Sequence, residues 1–357
     1  MQKLYSVQYL RAAAALLVVI AHAFSHQLGV GNPFVVLAGQ LGVLLFFVIS
    51  GFIMVYISGS GPFSAPQFLW RRAVRIVPLY WLFTGLAALL AVLAPALFKT
   101  TTFTWPHFLK SLFFIVHEAP GRGGTSPLLS LGWTLNYEVY FYLAFAALAV
   151  LAARLRIVVL TVAFLGLWLL GLLLPSGDPV LQFYLNVSPL GFAAGCWIGY
   201  RVLRRPLSMS RLSGTLLSLV AVAGLALALA DQQQPSGVLL SFAGQLAVAI
   251  SVLVLGLSLE AGWTRQRLLE RLGDASYAIY LTHMFVIGGA LGVGERVFDL
   301  TSPPAVITAA LVCIVLAVIA GVITHEIIEK PLLQLFRGHQ PRRAGQLDHQ
   351  AAAPAAR

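Results

Sequence analysis

Acid–base and phosphate chemistry need side chains that hold or move charge, and the apolar stretches of this chain retain few of them: Arg11, His22, Glu138 and His283. An ionisable group inside such a stretch is costly unless it faces a cavity or a partner, so each is a candidate for function. Arg11 and His22 share the segment YLRAAAALLVVIAHAF. At 100° per residue, eleven positions bring His22 to within about 20° of Arg11 and roughly 16 Å further along the same helical face. One stripe then carries a cation near the inner membrane surface and an imidazole near the outer one, which suits a long anionic molecule threaded toward a proton acceptor. The segment has a second reading. Lys3 and Arg11, an apolar core and Ala21-His22-Ala23 resemble a secretory leader with a small-residue cleavage site.

Glu138 lies deep in LGWTLNYEVYFYLAF, flanked by Trp133, Asn136, Tyr137 and Tyr140. A carboxyl group there is either neutral or partnered. His22 is the attractive partner, because a carboxylate orients an imidazole and stabilises its charged form; a structural Glu138 bonded to Tyr or Asn groups is the alternative. In LGDASYAIYLTHMFV, Asp274 reads as a helix cap and His283 falls about 12 Å along the helix, shallower than His22. That depth leaves His283 as a channel-lining group or a structural one. Arg71, Arg72 and Arg75 crowd ahead of the third apolar run in FLWRRAVRIVPLYW, and Pro78 fits the first turn of the helix that follows. Arg72 and Arg75 are one turn apart, a spacing able to grip a phosphate, while on the triplet alone plain topogenic charge is the favoured reading.

The elements that must position these groups follow from composition. The chain is 59% hydrophobic and 10% charged, with mean hydropathy +0.88, far above a soluble domain, so it reads as an all-α polytopic membrane protein. About ten stretches are long enough to cross: 6–27, 34–58, 77–97, 128–153, 157–175, 181–203, 212–230, 237–259, 275–296 and 304–328. With the N terminus inside, Lys and Arg fall overwhelmingly on the inner face, and only Lys99, Lys110, Arg122 and Arg296 lie outside, which places both termini in the cytoplasm. The net charge of +11 sits in short gaps between apolar runs rather than on a soluble face, so lipid headgroups or an anionic ligand are the expected partners and nucleic acid is not. Cys196 and Cys313 fall in apolar runs without metal-site spacing, so no metal is expected. Residues 98–127 form the longest outer loop, in which FTWPHFLKSLFFIVHE reads as a short interfacial helix, either packed on the membrane or acting as a lid. The membrane domain spans 1–335, and 336–357 is expected to be a disordered cytoplasmic tail.

In this setting the segments acquire a family resemblance. YLRAAAALLVVIAHAF resembles the first helix of the acyltransferase-3 family of integral membrane acyltransferases, with a basic residue, ten positions and a histidine, matched by Arg11 and His22. GQLGVLLFFVISGFIM is similar to the family's second helix, RRAVRIVPLYW to its RxxR element, LGWTLNYEVYFY to its GW-x-L-x-x-E block, LGDASYAIYLTH to its late helix, and HEIIEKPLL to its closing segment. Asn136 stands where Ser is frequent. The six ordered blocks cover residues 3 to 335, in the compact form without the family's esterase-like extension.

The resemblance implies transfer of an acyl group, most often acetyl, from cytoplasmic acyl-coenzyme A to a hydroxyl of a glycan facing the other side or carried on lipid, in a bacterial inner membrane. An alcohol is a poor nucleophile at neutral pH, so a base is needed. The expectation is His22 as that base with Glu138 orienting it, Arg11, Arg71, Arg72 and Arg75 holding the coenzyme phosphates, and Tyr80, Trp133, Asn136 and His283 along the substrate path. Exopolysaccharide is the preferred acceptor and lipopolysaccharide O-antigen the next. A transporter or flippase is the rival class, using the same buried groups as a substrate or proton path.

Overall fold

The computed structural model describes residues 3–95, 101–121, 124–174, 177–231, 238–297 and 302–337. The helices are α1 (Tyr5–Leu28), α2 (Pro33–Ser58), α3 (Ala65–Leu93), α4 (Trp105–Leu112), α5 (Gly132–Ala147), α6 (Ala153–Leu173) and α7 (Pro179–Tyr184). They continue as α8 (Pro189–Arg204), α9 (Arg211–Asp231), α10 (Val238–Ser258), α11 (Arg267–Val297), α12 (Pro303–Thr324) and α13 (Lys330–Arg337), with a π-helical turn, His325–Glu329, joining the last two. Among the described residues the β-type pairing is one isolated bridge between Glu118 and Thr125, so the fold is all-α as expected.

Eight of these helices are long and apolar enough to cross a membrane: α1, α2, α3, α6, α9, α10, α11 and the α12–α13 run. The expected fourth and sixth spans are shorter, at 16 residues each in α5 and α8, or about 24 Å of helix. Turns at Ala149 and Leu151 unwind the end of α5. Asn186, whose Oδ1 accepts from the Ser188 amide at 2.9 Å, and Pro189 split the 181–203 stretch into α7 and α8.

Two starts also move. α3 begins at Ala65, not near 77, so Arg71, Arg72 and Arg75 ride inside the helix and Pro78 is an interior proline rather than a first-turn one. α11 begins at Arg267, not 275, so Asp274 is no cap; it takes an ion pair from Lys3 at 2.9 Å within the second turn of the helix. The tail expected from 336 falls, from residue 338 on, outside the described residues, as do Lys99 and Arg122.

α1 is the hub of the bundle, packed on α2, α11, α10 and α12. Its buried face is mostly small (Ala12, Ala14, Ala15, Ala21 and Ala23), which lets neighbouring backbones come close where lipid offers no hydrophobic drive. A leader removed at Ala23 would take this hub away. α2 and α8 are closer still. A Cβ at Gly51 would sit 2.0 Å from the Phe192 carbonyl oxygen, and one at Gly195 1.9 Å from that of Val48, so both positions require glycine. α6, α9 and α12 turn Leu, Val and Ile outward, as helices facing lipid do.

One end of the bundle gathers the arginines. There Glu260 accepts from the backbone amides of Tyr5 and Ser6 and caps α1. Arg156 is fully buried nearby, donating to the carbonyls of Leu148, Leu151, Ala149 and Gly61 with Phe63 and Phe145 over its guanidinium, which ties the α5–α6 turn to the α2–α3 loop. At the other end α4 shows Trp105, Leu109 and Phe113 to the outside and buries His107 and Ser111. The apolar face outward and the polar face inward is what an interfacial helix needs.

Candidate active site

The floor of the site is built at the arginine-rich end. Arg11 donates to the Ser276 hydroxyl of α11 at 3.0 Å and lies 3.4 Å from Gln8 Oε1. Arg75 is ion-paired with Glu329 and stands 5.7 Å over the Tyr277 ring, while the Tyr277 hydroxyl donates to the Ile76 carbonyl at 2.7 Å in the turn before Pro78. A cavity of about 400 Å³ rises from these groups into the bundle, lined by Arg11, Arg72 and Arg75 below, by apolar groups such as Val43, Phe46 and Met54 along its side, and by Thr134 and Tyr280. A second pocket, of about 600 Å³, shares Arg11, Arg72 and Arg75 with the first and adds Arg71, Lys330 and His325. The first is mainly apolar and the second mainly cationic, so the two together suit a molecule with a charged end and a greasy arm.

Glu138 lines the first cavity, and its carboxylate accepts from the Tyr142 hydroxyl and from Ser50 Oγ at 3.4 Å. It makes no hydrogen bond to His22, and the physical reason lies in helix length. α5 ends at Ala147, so Glu138 is about 13 Å from the arginine-rich end at 1.5 Å per residue, whereas His22 is about 25 Å up α1. The carboxylate therefore stands level with Arg75, which is about 15 Å into α3.

His22 meets His283 instead. Their ring centroids are 4.9 Å apart at 63°. The expected difference in depth vanishes because α11 starts two turns earlier than the sequence suggested, which puts His283 about 24 Å up its helix. His22 Nδ1 is 2.9 Å from the Val18 carbonyl oxygen and His283 Nδ1 2.7 Å from that of Tyr280. A carbonyl only accepts, so each Nδ1 carries the hydrogen and each neutral ring keeps a lone pair on Nε2. His283 is fully buried and its Nε2 has no partner in the structure. The histidines are not among the lining residues of the 400 Å³ cavity. Tyr280, one turn below His283, stands at its upper end, bonded through its hydroxyl to Thr134 at 2.8 Å and packed against Phe46.

The remaining expected residues are spread around this centre. Tyr80 is fully buried and donates to the Ser111 carbonyl of α4 at 3.1 Å, so it anchors the outer helix. Trp133 is 39% exposed and packs edge-on against Tyr137. Asn136 is buried with an unpartnered Oδ1. None of these three is a lining residue of either pocket. Arg71 lines the cationic pocket only. Sequence reasoning gave no role to Ser50, Tyr142, Tyr277, His325 or Glu329. The signal for the last two was present, an ionisable pair at i and i+4 in HEIIEKPLL. Among the described residues no group of three or more His, Cys, Asp or Glu gathers as a metal site.

The family profile described as an acyltransferase domain matches residues 4–324. The exopolysaccharide production protein ExoZ of Rhizobium meliloti (strain 1021) is 35% identical, over 85% of this chain and 92% of its own. The acyltransferase MdmB of Streptomyces mycarofaciens is 26% identical over 95% and 94%, and nodulation protein 10 of Rhizobium leguminosarum bv. viciae 30% over 80% and 83%. No solved structure matches.

Proposed function

The chain belongs to the acyltransferase-3 family, and from that premise we propose that it moves an acyl group, acetyl by preference, from acyl-coenzyme A to a hydroxyl of an exported or cell-surface polysaccharide or its lipid-linked precursor. The acceptor class is supported by ExoZ, whose name ties it to exopolysaccharide production. The protein is a multi-pass membrane enzyme. The reading places it in the bacterial inner membrane with ten crossings, α5 and α8 being the short ones, and with the arginine-rich end and both termini in the cytoplasm.

One observation carries the proposal. A cavity runs from Arg11, Arg72 and Arg75 up to Tyr280, and the His22–His283 pair stands above it, His283 one turn beyond Tyr280 on α11 and His22 about three turns beyond Arg11 on α1. The guanidiniums hold the phosphates of the donor, which guanidinium forks recognise bidentately. The acyl arm lies along the apolar wall. His22 Nε2, left free by the Nδ1 bond to Val18, takes the proton of the attacking hydroxyl as its oxygen bonds to the thioester carbon. The carbon–sulfur bond then breaks, the electron pair leaves on sulfur, and the proton passes to the thiolate. His283, adjacent and with its own Nε2 unspent, helps hold that proton on the imidazole pair. Glu138 acts lower down: it fixes Ser50 and Tyr142 and offsets Arg72 and Arg75, positioning the donor rather than the base.

Purified protein given labelled acetyl-coenzyme A and the glycan yields a labelled ester, and His22→Ala does not. Full acetylation by His22→Ala together with failed glycan export overturns this reading in favour of a transporter.

A further inference from the structure

The π-turn between α12 and α13 leaves a buried histidine with one nitrogen unused. His325 is 4% exposed, its Nδ1 is 2.6 Å from Glu329 Oε2, and its Nε2 has no partner in the structure. Glu329, equally buried, also receives Arg75. A π-turn places one extra residue in a helical turn and is frequent at functional sites. The pocket that His325 lines is lined also by Arg11, Arg71, Arg72 and Lys330 and by Trp70 and Phe336. Arg72 Nε is buried and unpartnered, and Arg11, Arg71 and Arg72 have no carboxylate within an ion-pair distance among the described residues. The one acid in the lining, Asp274, is held by Lys3. So many cations with so few counter-charges make an anion site.

We propose that this pocket is the nucleotide subsite of the donor, with a terminal phosphate monoester bound between His325 Nε2 and the Lys330 ammonium and the base against Trp70. The proposal rests on the acyl-coenzyme A reading and adds which part of the donor each group takes. The two pockets meet at Arg11, Arg72 and Arg75, so the pyrophosphate belongs at that junction, with the acyl arm above it and the adenosine below. The monoester at the ribose 3′ position then needs donors of its own. Glu329 fixes the His325 ring through Nδ1, and a second proton makes Nε2 a donor as well. Glu326 holds Lys330 at 2.5 Å, steering its ammonium while leaving it further donors.

The test compares acetyl-coenzyme A with acetyl-3′-dephospho-coenzyme A in the full-length protein. A charged hydrogen-bond pair to phosphate corresponds to roughly a ten- to hundredfold preference in kcat/KM for the phosphorylated donor. His325→Gln and Lys330→Gln are expected to bring that ratio to about one. Lys330 is about half exposed, so its variant keeps the test open if the buried His325 variant does not fold. Variants that retain the wild-type ratio overturn the subsite assignment alone. A wild-type enzyme that acylates from neither thioester overturns the donor reading and the subsite with it.

Discussion

Two imidazole pairs sit in this molecule at the same centroid spacing, 4.9 Å, and they differ in what their nitrogens are bonded to. Under α4, His117 Nδ1 is held by the Ile115 carbonyl at 2.7 Å and its Nε2 takes the hydrogen of His107 Nδ1 at 2.6 Å. That pair is closed ring to ring, one imidazole donating to the other. In the bundle, His22 and His283 each give Nδ1 to a carbonyl of their own helix, and the two Nε2 lone pairs are left over. That pair is open and lacks one proton donor, which under the proposed mechanism an incoming hydroxyl would supply. Proximity of two histidines is therefore no mark of chemistry; unspent bonding capacity is.

The largest expected effect separates the pairs outright. His22→Ala lowers kcat about a thousandfold, within the range of a lost general base, while His107→Ala stays within about threefold in the same labelled-ester assay. His283→Leu lowers kcat by roughly ten- to a hundredfold with little change in donor KM, and His283→Gln, which restores an acceptor, recovers part of it; a loss confined to folding yield, equal in both variants, makes His283 structural and breaks the comparison. Glu138→Gln tests whether the open pair has a third member. Standing with the arginines, it is expected to change donor KM severalfold and kcat less, whereas a kcat loss matching that of His22→Ala restores Glu138 as the orienter of the base.

The smallest effect belongs to the closed pair. Burial, with His117 beside it, pushes His107 down from 6.5 to about 4. The opened loop binds a proton near 6.5 and the closed loop not until about 4, so the stability of this cap is complete above 6.5 and is lost as pH falls from there to 4. Hydrogen exchange over residues 101–121, corrected for its intrinsic pH dependence, should quicken between pH 7 and pH 5, and His107→Gln should remove the change.

The sequence made the all-α membrane class, the Arg11–His22 stripe and the arginine cluster legible because each depends on composition or on spacing within one helix. What it hid depends on where helices begin and end. Two extra turns at the start of α11 raised His283 to the level of His22, and the early end of α5 lowered Glu138 to the level of Arg75. The tertiary partners were invisible for the same reason: Glu329 meets Arg75 and Ser50 meets Glu138 across gaps no local pattern encodes, whereas Tyr142, four residues on from Glu138 in α5, lies within helical spacing.

The central claim is that the open imidazole pair receives a thioester threaded upward past the arginines. A structure of the protein with a non-hydrolysable acyl-coenzyme A analogue tests it most directly. The account predicts phosphates against Arg11, Arg72 and Arg75 and the acyl carbonyl carbon close enough to His22 for a hydroxyl to bridge the two, with that hydroxyl's oxygen about 3 Å from the carbon and within hydrogen-bond reach of Nε2. An acyl carbonyl docked away from both histidines, with the His22 ring facing lipid, contradicts it.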